Sequence, residues 1–311
     1  MTRTFYELTD CTDGSGGAGA WMPSEYYVDL ILEGIQTYGQ LSGKAAVVGT
    51  DLAAGNGNVV NIRYVSPREH ACANTSCGEC LSSTSTTFGD YPVTVYQQGD
   101  YDKIADFADW QAKGDVMAQV ANEMGKRLAH CRDLGLWQDL TGATAGTVLT
   151  TSGSYSTTPA MDTSCCTFSF DIYNNIIDAR QTLMGTGYNP DYVLIHPYAA
   201  AYLYYKEGAA GYPVDNYPLL KYGADGYIKT IAGMKVIEVM VAVGDDSEPT
   251  AGGDELAFVI DSSRALAEAW GQRPKFNEWY DGQCNATELT VWSYWGHSVL
   301  DTSAIVEIQN P

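Results

Sequence analysis

Residues 70–80 read HACANTSCGEC and bring His70, Cys72, Cys77 and Cys80 into one short stretch. An imidazole and three thiols are the donor set of a structural zinc site, and Cys77–Cys80 has the C-x-x-C knuckle spacing. Zinc sites of that kind usually draw two ligand pairs from separated strands, whereas this cluster would have to wrap completely around the ion. The same thiols could instead form disulfides or stay reduced. The chain has eight cysteines, unusual for a reducing compartment; the others are Cys11, Cys131, Cys165, Cys166 and Cys284. Cys131 falls within a helical pattern and reads as a small core residue. The rest stand in polar or glycine-rich surroundings, which places them at surfaces.

Other chemistry finds little support. No G-x-S-x-G, Walker or H-E-x-x-H pattern occurs. The segment GSGGAG at 14–19 matches G-x-G-x-x-G, but the preceding ELTDCTD is not the buried strand that a dinucleotide site needs. It reads as an arm leading to a helix. The remaining histidines, His130, His196 and His297, are scattered and read as structural, because a catalytic imidazole needs a partner in reach. The expectation is a protein that is not an enzyme and carries no cofactor.

Composition points the same way. An apolar fraction of 45% over 311 residues can fill a real core. The 17 basic and 38 acidic residues leave a net charge of −21, which repels a phosphate backbone and disfavours sequence-independent nucleic-acid binding. Acidity can serve solubility, or allow a protein to lie beside nucleic acid without sticking to it. No apolar run reaches the roughly 18 residues of a membrane-spanning helix, and the N-terminus lacks a secretory layout. No membrane is expected as a partner, and folding is expected in the cytoplasm.

These residues need a scaffold, and the patterning supplies one. MPSEYYVDLILEGI has a Pro23–Ser24 start signal and apolar residues at helical spacing. KAAVVGTDL, GNVVNIRYV and YPVTVYQQ read as strands, making 58–98 a long hairpin whose tip carries the cysteine cluster. From Asp109, residues Trp110, Met117, Val120, Met124, Leu128 and Cys131 recur every three or four positions. They predict a helix of about 25 residues, on the order of 40 Å long. Its single apolar stripe suggests that it backs a sheet. FDIYNNIIDARQTLMGTG reads as a helix closed by glycine, DYVLIHP as a buried strand, and YAAAYLYYKEG as a helix. YIKTIAG, KVIEVMVAV and ELAFVID read as strands, SSRALAEAW as a short helix capped by Ser262 or Ser263, and the last forty residues as two long strands around a turn at Asp281–Asn285.

In this order the segments resemble the major capsid proteins of tailed double-stranded DNA viruses, the Hong Kong 97 phage-like fold. GGAGAWMPSEYYVDLILEGI is similar to that family's entry from arm to helix, and YDKIADFADWQAKGDVMAQVANEMGKRLAHCRD to its strand, polar step and long spine helix. YVLIHPYAAAYL, IAGMKVIEV, DELAFVIDSSRALA and VLDTSAIVEI resemble its later segments. The resemblance implies an α+β fold with four parts. These are an N-terminal arm and helix at 1–43, an extended loop region at 44–102, a peripheral domain at 103–150 and 274–311, and an axial domain at 151–273. It also implies self-assembly into hexamers and pentamers of an icosahedral shell around double-stranded DNA that is enclosed without specific binding. Portal, scaffolding and decoration proteins are possible partners; the virion would be the location and the host cytoplasm the place of assembly. Residues 1–22 would order only across neighbouring subunits, and Tyr212, Pro213, Tyr217 and Tyr222 would meet their copies at the capsomer axis. An encapsulin-type nanocompartment shell enclosing cargo enzymes shares the fold and is the alternative. A carbohydrate- or lipid-binding role for the 22 tyrosines is a more distant one.

The namesake of the fold fastens its extended loop by a lysine–asparagine isopeptide link. This chain has no lysine between Lys44 and Lys103, so that link cannot be carried over. The family architecture places a neighbour's loop tip over the peripheral domain, which implies a bond from Cys72, Cys77 or Cys80 to Cys284 of another chain.

Overall fold

The computed structural model describes residues 24–49, 58–65, 88–105, 116–143, 145–151, 172–208, 220–222, 228–240 and 254–310. The helices are α1 (Ser24–Tyr38), α2 (Val116–Gly142), α3 (Ile172–Gly185) and α4 (Pro197–Gly208). The early strands are β1 (Val47–Gly49), β2 (Val59–Val65), β3 (Phe88–Thr94), β4 (Tyr96–Ala105) and β5 (Thr147–Thr150). Then come β6 (Tyr192–Ile195), β7 (Leu220–Tyr222), β8 (Ile228–Ile231), β9 (Met234–Glu238) and β10 (Glu255–Ile260). The chain closes with β11 (Leu266–Asp281), β12 (Ala286–Val299) and β13 (Ile305–Gln309).

Among the described residues the strands form three sheets. Seven run in the order β5-β13-β10-β6-β9-β8-β7, four in the order β1-β11-β12-β4, and β2 pairs with β3 alone. The seven-stranded sheet is mixed, with β13 parallel to β5 and β6 parallel to β9. Its strand β10, paired on both sides, is buried from Leu256 to Ile260, which explains why LAFVI is continuously apolar instead of alternating. Helix α3 lies against it through Ile172, Ile176, Ala179 and Leu183.

Helix α2 ties the two larger sheets together. Its buried residues Ala121, Met124, Gly125, Leu128, Ala129, Arg132, Asp133, Leu136, Trp137 and Leu140 follow the three-and-four spacing of one helical stripe. The N-terminal half packs with α1 against Phe276, Leu289 and Val291 of the four-stranded sheet. The C-terminal half joins the core of the seven-stranded sheet, where Trp137 meets Phe258 edge-on at 5.3 Å. The start expected at Asp109 lies outside the described residues.

Four expectations are corrected. SSRALAEAW is not a helix: Asp261 closes a single turn by accepting from the Ser263 amide and hydroxyl, and β11 begins at Leu266. Leu266–Ala269 are all buried, and pairing with both β1 and β12 outweighs the local helical preference of Ala, Leu and Glu. Cys131 is exposed, because it sits beside the stripe formed by Leu128, Ala129, Arg132 and Asp133, not on it. The last forty residues hold a third strand: after β12 the chain makes a short 3-10 turn at Thr302–Ala304 and places β13 in the other sheet. YPVTVYQQ is not one strand: it breaks at Val95 into β3, which pairs with β2, and β4, which joins the four-stranded sheet. The expected β2–β3 pairing and the Asp281–Asn285 turn are present, and the expected hairpin tip lies outside the described residues. The hairpin base packs Val60, Ile62, Val93 and Val95 over Ala267 and Ala269.

Candidate functional site

The surfaces an assembling subunit would use are positioned by a buried node at the centre of α2. Upstream of it, α1 crosses α2 at Gly34 and Gly125. A Cβ on Gly125 would stand 2.6 Å from the Ile31 carbonyl oxygen and 3.2 Å from the Gly34 Cα. Past α1 the chain turns, and the Asp133 carboxylate accepts from the amides of Gln40 (2.5 Å), Leu41 (2.9 Å) and Ser42 (3.0 Å). Glu268 on β11 continues the clasp. It accepts from the Ser42 hydroxyl at 2.6 Å, the Gly43 amide at 2.8 Å and the Trp295 indole at 2.7 Å. Gln40 in turn accepts from the Met240 amide at 2.8 Å, which ties the same segment to the end of β9.

Arg132 fills the centre of this node. It donates to the Ser293 hydroxyl at 2.9 Å and stacks its guanidinium 4.0 Å from the Trp270 ring centroid. Burial lowers its pKa to about 10, opposed by the charges of Glu268 and Asp133. Burial also pushes the Asp133 carboxyl upward, against the three amides that favour its charged form. Asp133 and Glu268 together hold the backbone of residues 40–43. The N-terminal helix is thereby fixed to both large sheets.

The second feature is the far end of the four-stranded sheet. Cys284 lies exposed in the turn between β11 and β12, where the Asp281 side chain accepts from the Gln283 amide at 3.0 Å. Lys103 on β4 reaches Asp281 at 2.7 Å and Glu288 at 3.0 Å across the outer face. Those hydrogen bonds raise the Lys103 pKa and hold the Asp281 carboxyl far below the usual carboxylate range, with smaller contributions from the Cys284 thiol. Around this cluster Tyr101, Trp279 and Tyr280 stand roughly half exposed. Large aromatic side chains of this kind are enriched at protein–protein interfaces, and the Lys103 cluster would suit a polar rim.

Of the residues singled out in the sequence, His70, Cys72, Cys77 and Cys80 lie outside the described residues, as do Tyr212, Pro213 and Tyr217. Tyr222 ends β7. His130 is exposed on α2, His196 is buried at the end of β6 with its ring stacked on Tyr198, and His297 lies 2.6 Å from Asp139. Among the described residues no three His, Cys, Asp or Glu side chains are grouped to hold a metal ion. The node of Arg132, Asp133 and Glu268 was missed in the sequence. Its signal was the adjacent Arg132–Asp133 pair at stripe positions between Leu128 and Leu136, where apolar residues are expected.

A search of curated proteins finds no match. Among solved structures, the chain is similar to the capsid structure of cyanophage P-SCSP1u at 15% identity and a TM-score of 0.57, over 85% of this chain and 86% of that one. It is similar to a chain of Microbacterium phage Oxtober96 at 10% identity and a TM-score of 0.58, over 99% and 96% of the two chains. For Gordonia phage Cozz the values are 16% and 0.57, over 87% and 86%. These likenesses establish a shared mixed α+β fold. A family model described as phage capsid protein matches residues 90–307, from within β3 into β13. With that span covering most of its 311 residues, the chain belongs to the phage capsid protein family.

Proposed function

We propose that this chain is the tile of a closed icosahedral shell of the Hong Kong 97 type, assembled from hexamers and pentamers in the host cytoplasm and carried in the virion. The observation that carries the reading is α2, one helix packed into the cores of both larger sheets, with the N-terminal helix clasped to its midpoint. Such a body is a rigid plate, and a shell needs plates whose arms and loops engage neighbours. In this reading residues 1–43 form the arm and its helix and 44–102 the extended loop region. Residues 103–150 and 274–311 form the peripheral domain, and 151–273 the axial domain. The sheets do not divide at these bounds: β4 straddles 102/103, β11 straddles 273/274, and β5 and β13 join the seven-stranded sheet with β6 to β10.

Tyr212, Pro213, Tyr217 and Tyr222 would contact their copies near the capsomer axis. Cys284, exposed at the sheet tip, would bond to Cys72, Cys77 or Cys80 of a neighbour. The net charge of −21 suits a container that encloses duplex DNA without binding it, leaving retention to the closed shell. The tile itself would have no catalytic role. A nanocompartment shell has no specific support, since the matching family model is that of phage capsids. Expression of the full chain tests the reading. Closed particles by electron microscopy are expected; soluble monomers or small oligomers under every assembly condition, with shell proteins of the same fold closing in parallel, would overturn it.

A further inference from the structure

Strand β4 is the end strand of the four-stranded sheet among the described residues. It pairs with β12 along ten consecutive residues with no register shift, and it contains no proline. A strand sends its amides alternately to its two sides, so a long regular end strand offers a row of open donors to any extended chain that approaches. Here two donors near the middle of that row are occupied. The Tyr101 amide donates to Asp100 Oδ1 at 2.9 Å, and the Lys103 amide donates to Asp102 Oδ1 at 2.8 Å. Each aspartate turns its other oxygen to one guanidinium on α2: Arg127 Nε lies 2.9 Å from Asp100 Oδ2, and Arg127 Nη2 donates to Asp102 Oδ2 at 3.0 Å. Two carboxylates two residues apart, on the strand face that meets the helix, each serve one edge amide and one arm of the same cation.

An exposed ion pair in this position contributes little to stability. Its geometry has a different consequence: the aspartates cannot keep their hold on Arg127 and the edge amides and also leave those amides to an incoming strand. We propose that the outer edge of β4 is a guarded strand-addition site for an extended segment of a second copy of this chain, closed in the free subunit by Asp100 and Asp102 under the grip of Arg127. The guard keeps free subunits from pairing edge to edge in solution. A neighbour that draws off Arg127 or displaces the carboxylates opens the edge to main-chain pairing, the means by which peptides join sheets in other systems. The choice of a second copy as occupant rests on the shell reading above; the guard does not.

The test uses the full chain in its unassembled fraction, comparing the parent with Asp100→Ala/Asp102→Ala and with Asp100→Asn/Asp102→Asn. Circular dichroism first establishes that each is folded, and Arg127→Ala replaces the double alanine variant if that one is not. Site-resolved hydrogen exchange then reads the amides of Tyr101 and Lys103, and sedimentation velocity reads association across a concentration series. Removing the acceptors is expected to speed exchange at both amides by about tenfold at low concentration, the scale of one lost hydrogen bond. As concentration rises the alanine variant should associate, with protection returning at those amides. The asparagine variant, which keeps one acceptor oxygen for each amide but loses the pairing with Arg127, should fall between it and the parent. Unchanged exchange in the alanine variant overturns the guard. Fast exchange without association, or association that leaves the two amides unprotected, overturns the strand-addition site. Neither failure bears on shell formation, which is scored separately by whether the parent closes into particles.

Discussion

The crossing of α1 and α2 at Gly34 and Gly125 allows a stability prediction to be worked from distances. In Gly125→Ala the new Cβ would stand 2.6 Å from the Ile31 carbonyl oxygen and 3.1 Å from the Ile31 Cα. Both are backbone atoms, so no rotamer change relieves the overlap. A relaxed carbon–oxygen contact needs roughly 3.3 Å, so the helices must part by about 0.7 Å. A gap of that size forfeits about a quarter to a half of each dispersion contact along the seam, which here joins Tyr27, Ile31 and Ile35 to Ala121, Met124 and Leu128. Overpacking of this kind costs about 3 kcal/mol at the upper end of its usual range. Alanine returns about 1 kcal/mol through its better helix propensity. The net is about 2 kcal/mol of destabilisation, a fall in Tm of roughly 4–8 °C on the scale of domains this large. Gly142→Ala is the control, because a Cβ there meets nothing within 4 Å, and its effect should be neutral to slightly stabilising. Thermal and urea unfolding of the unassembled subunit measure both. A Gly125→Ala subunit as stable as the parent would refute the reasoning that backbone contact fixes this crossing.

Removing the clasp should cost more. Asp133→Ala leaves the amides of residues 40–42 without their acceptor and Arg132 with one fewer counter-charge, so about 3–5 kcal/mol should be lost in urea titrations; a change below about 1 kcal/mol would mean that the segment finds other partners. At the sheet tip, Lys103 holds the folded Asp281 pKa below its ordinary 3.8, so the stability from this pair is complete above pH 3.8 and declines as pH falls below it. Asp281→Asn should therefore be less stable than the parent at neutral pH, with the difference shrinking towards pH 2; a constant difference across that range would count against the coupling. If Cys284 links subunits, mature shells boiled in detergent without reductant should run as ladders that collapse on reduction, and Cys284→Ser should abolish the ladder. The bond requires Cα atoms within about 7 Å of each other, and shells that run wholly as monomers without reductant would exclude it.

Much of this fold could be read from periodicity, and the exceptions have physical causes. The α2 stripe and the β10 apolar run are strong signals because burial along them is continuous. Leu266–Ala269 misled because their helical preference is small beside the pairing and burial of a strand covered on both faces, which only the tertiary fold supplies. The membership of β13 in the other sheet was equally hidden, since no local pattern says which sheet a strand joins. The Gly34–Gly125 seam was silent because a glycine in a helix reads as a weak point until its neighbour is known. In the candidate site, the turn holding Cys284 was legible, while the carboxylate clasp was not: Asp133 and Glu268 are 135 residues apart and act on backbone amides, which sequence does not display.

The most direct test of the account is a cryo-electron microscopy reconstruction of the particle that contains this chain. An icosahedral shell tiled by hexamers and pentamers of this fold is expected, with layered density of packed duplex DNA inside. Folded protein cargo within the shell, or a particle in which this chain does not form the closed surface, would contradict it.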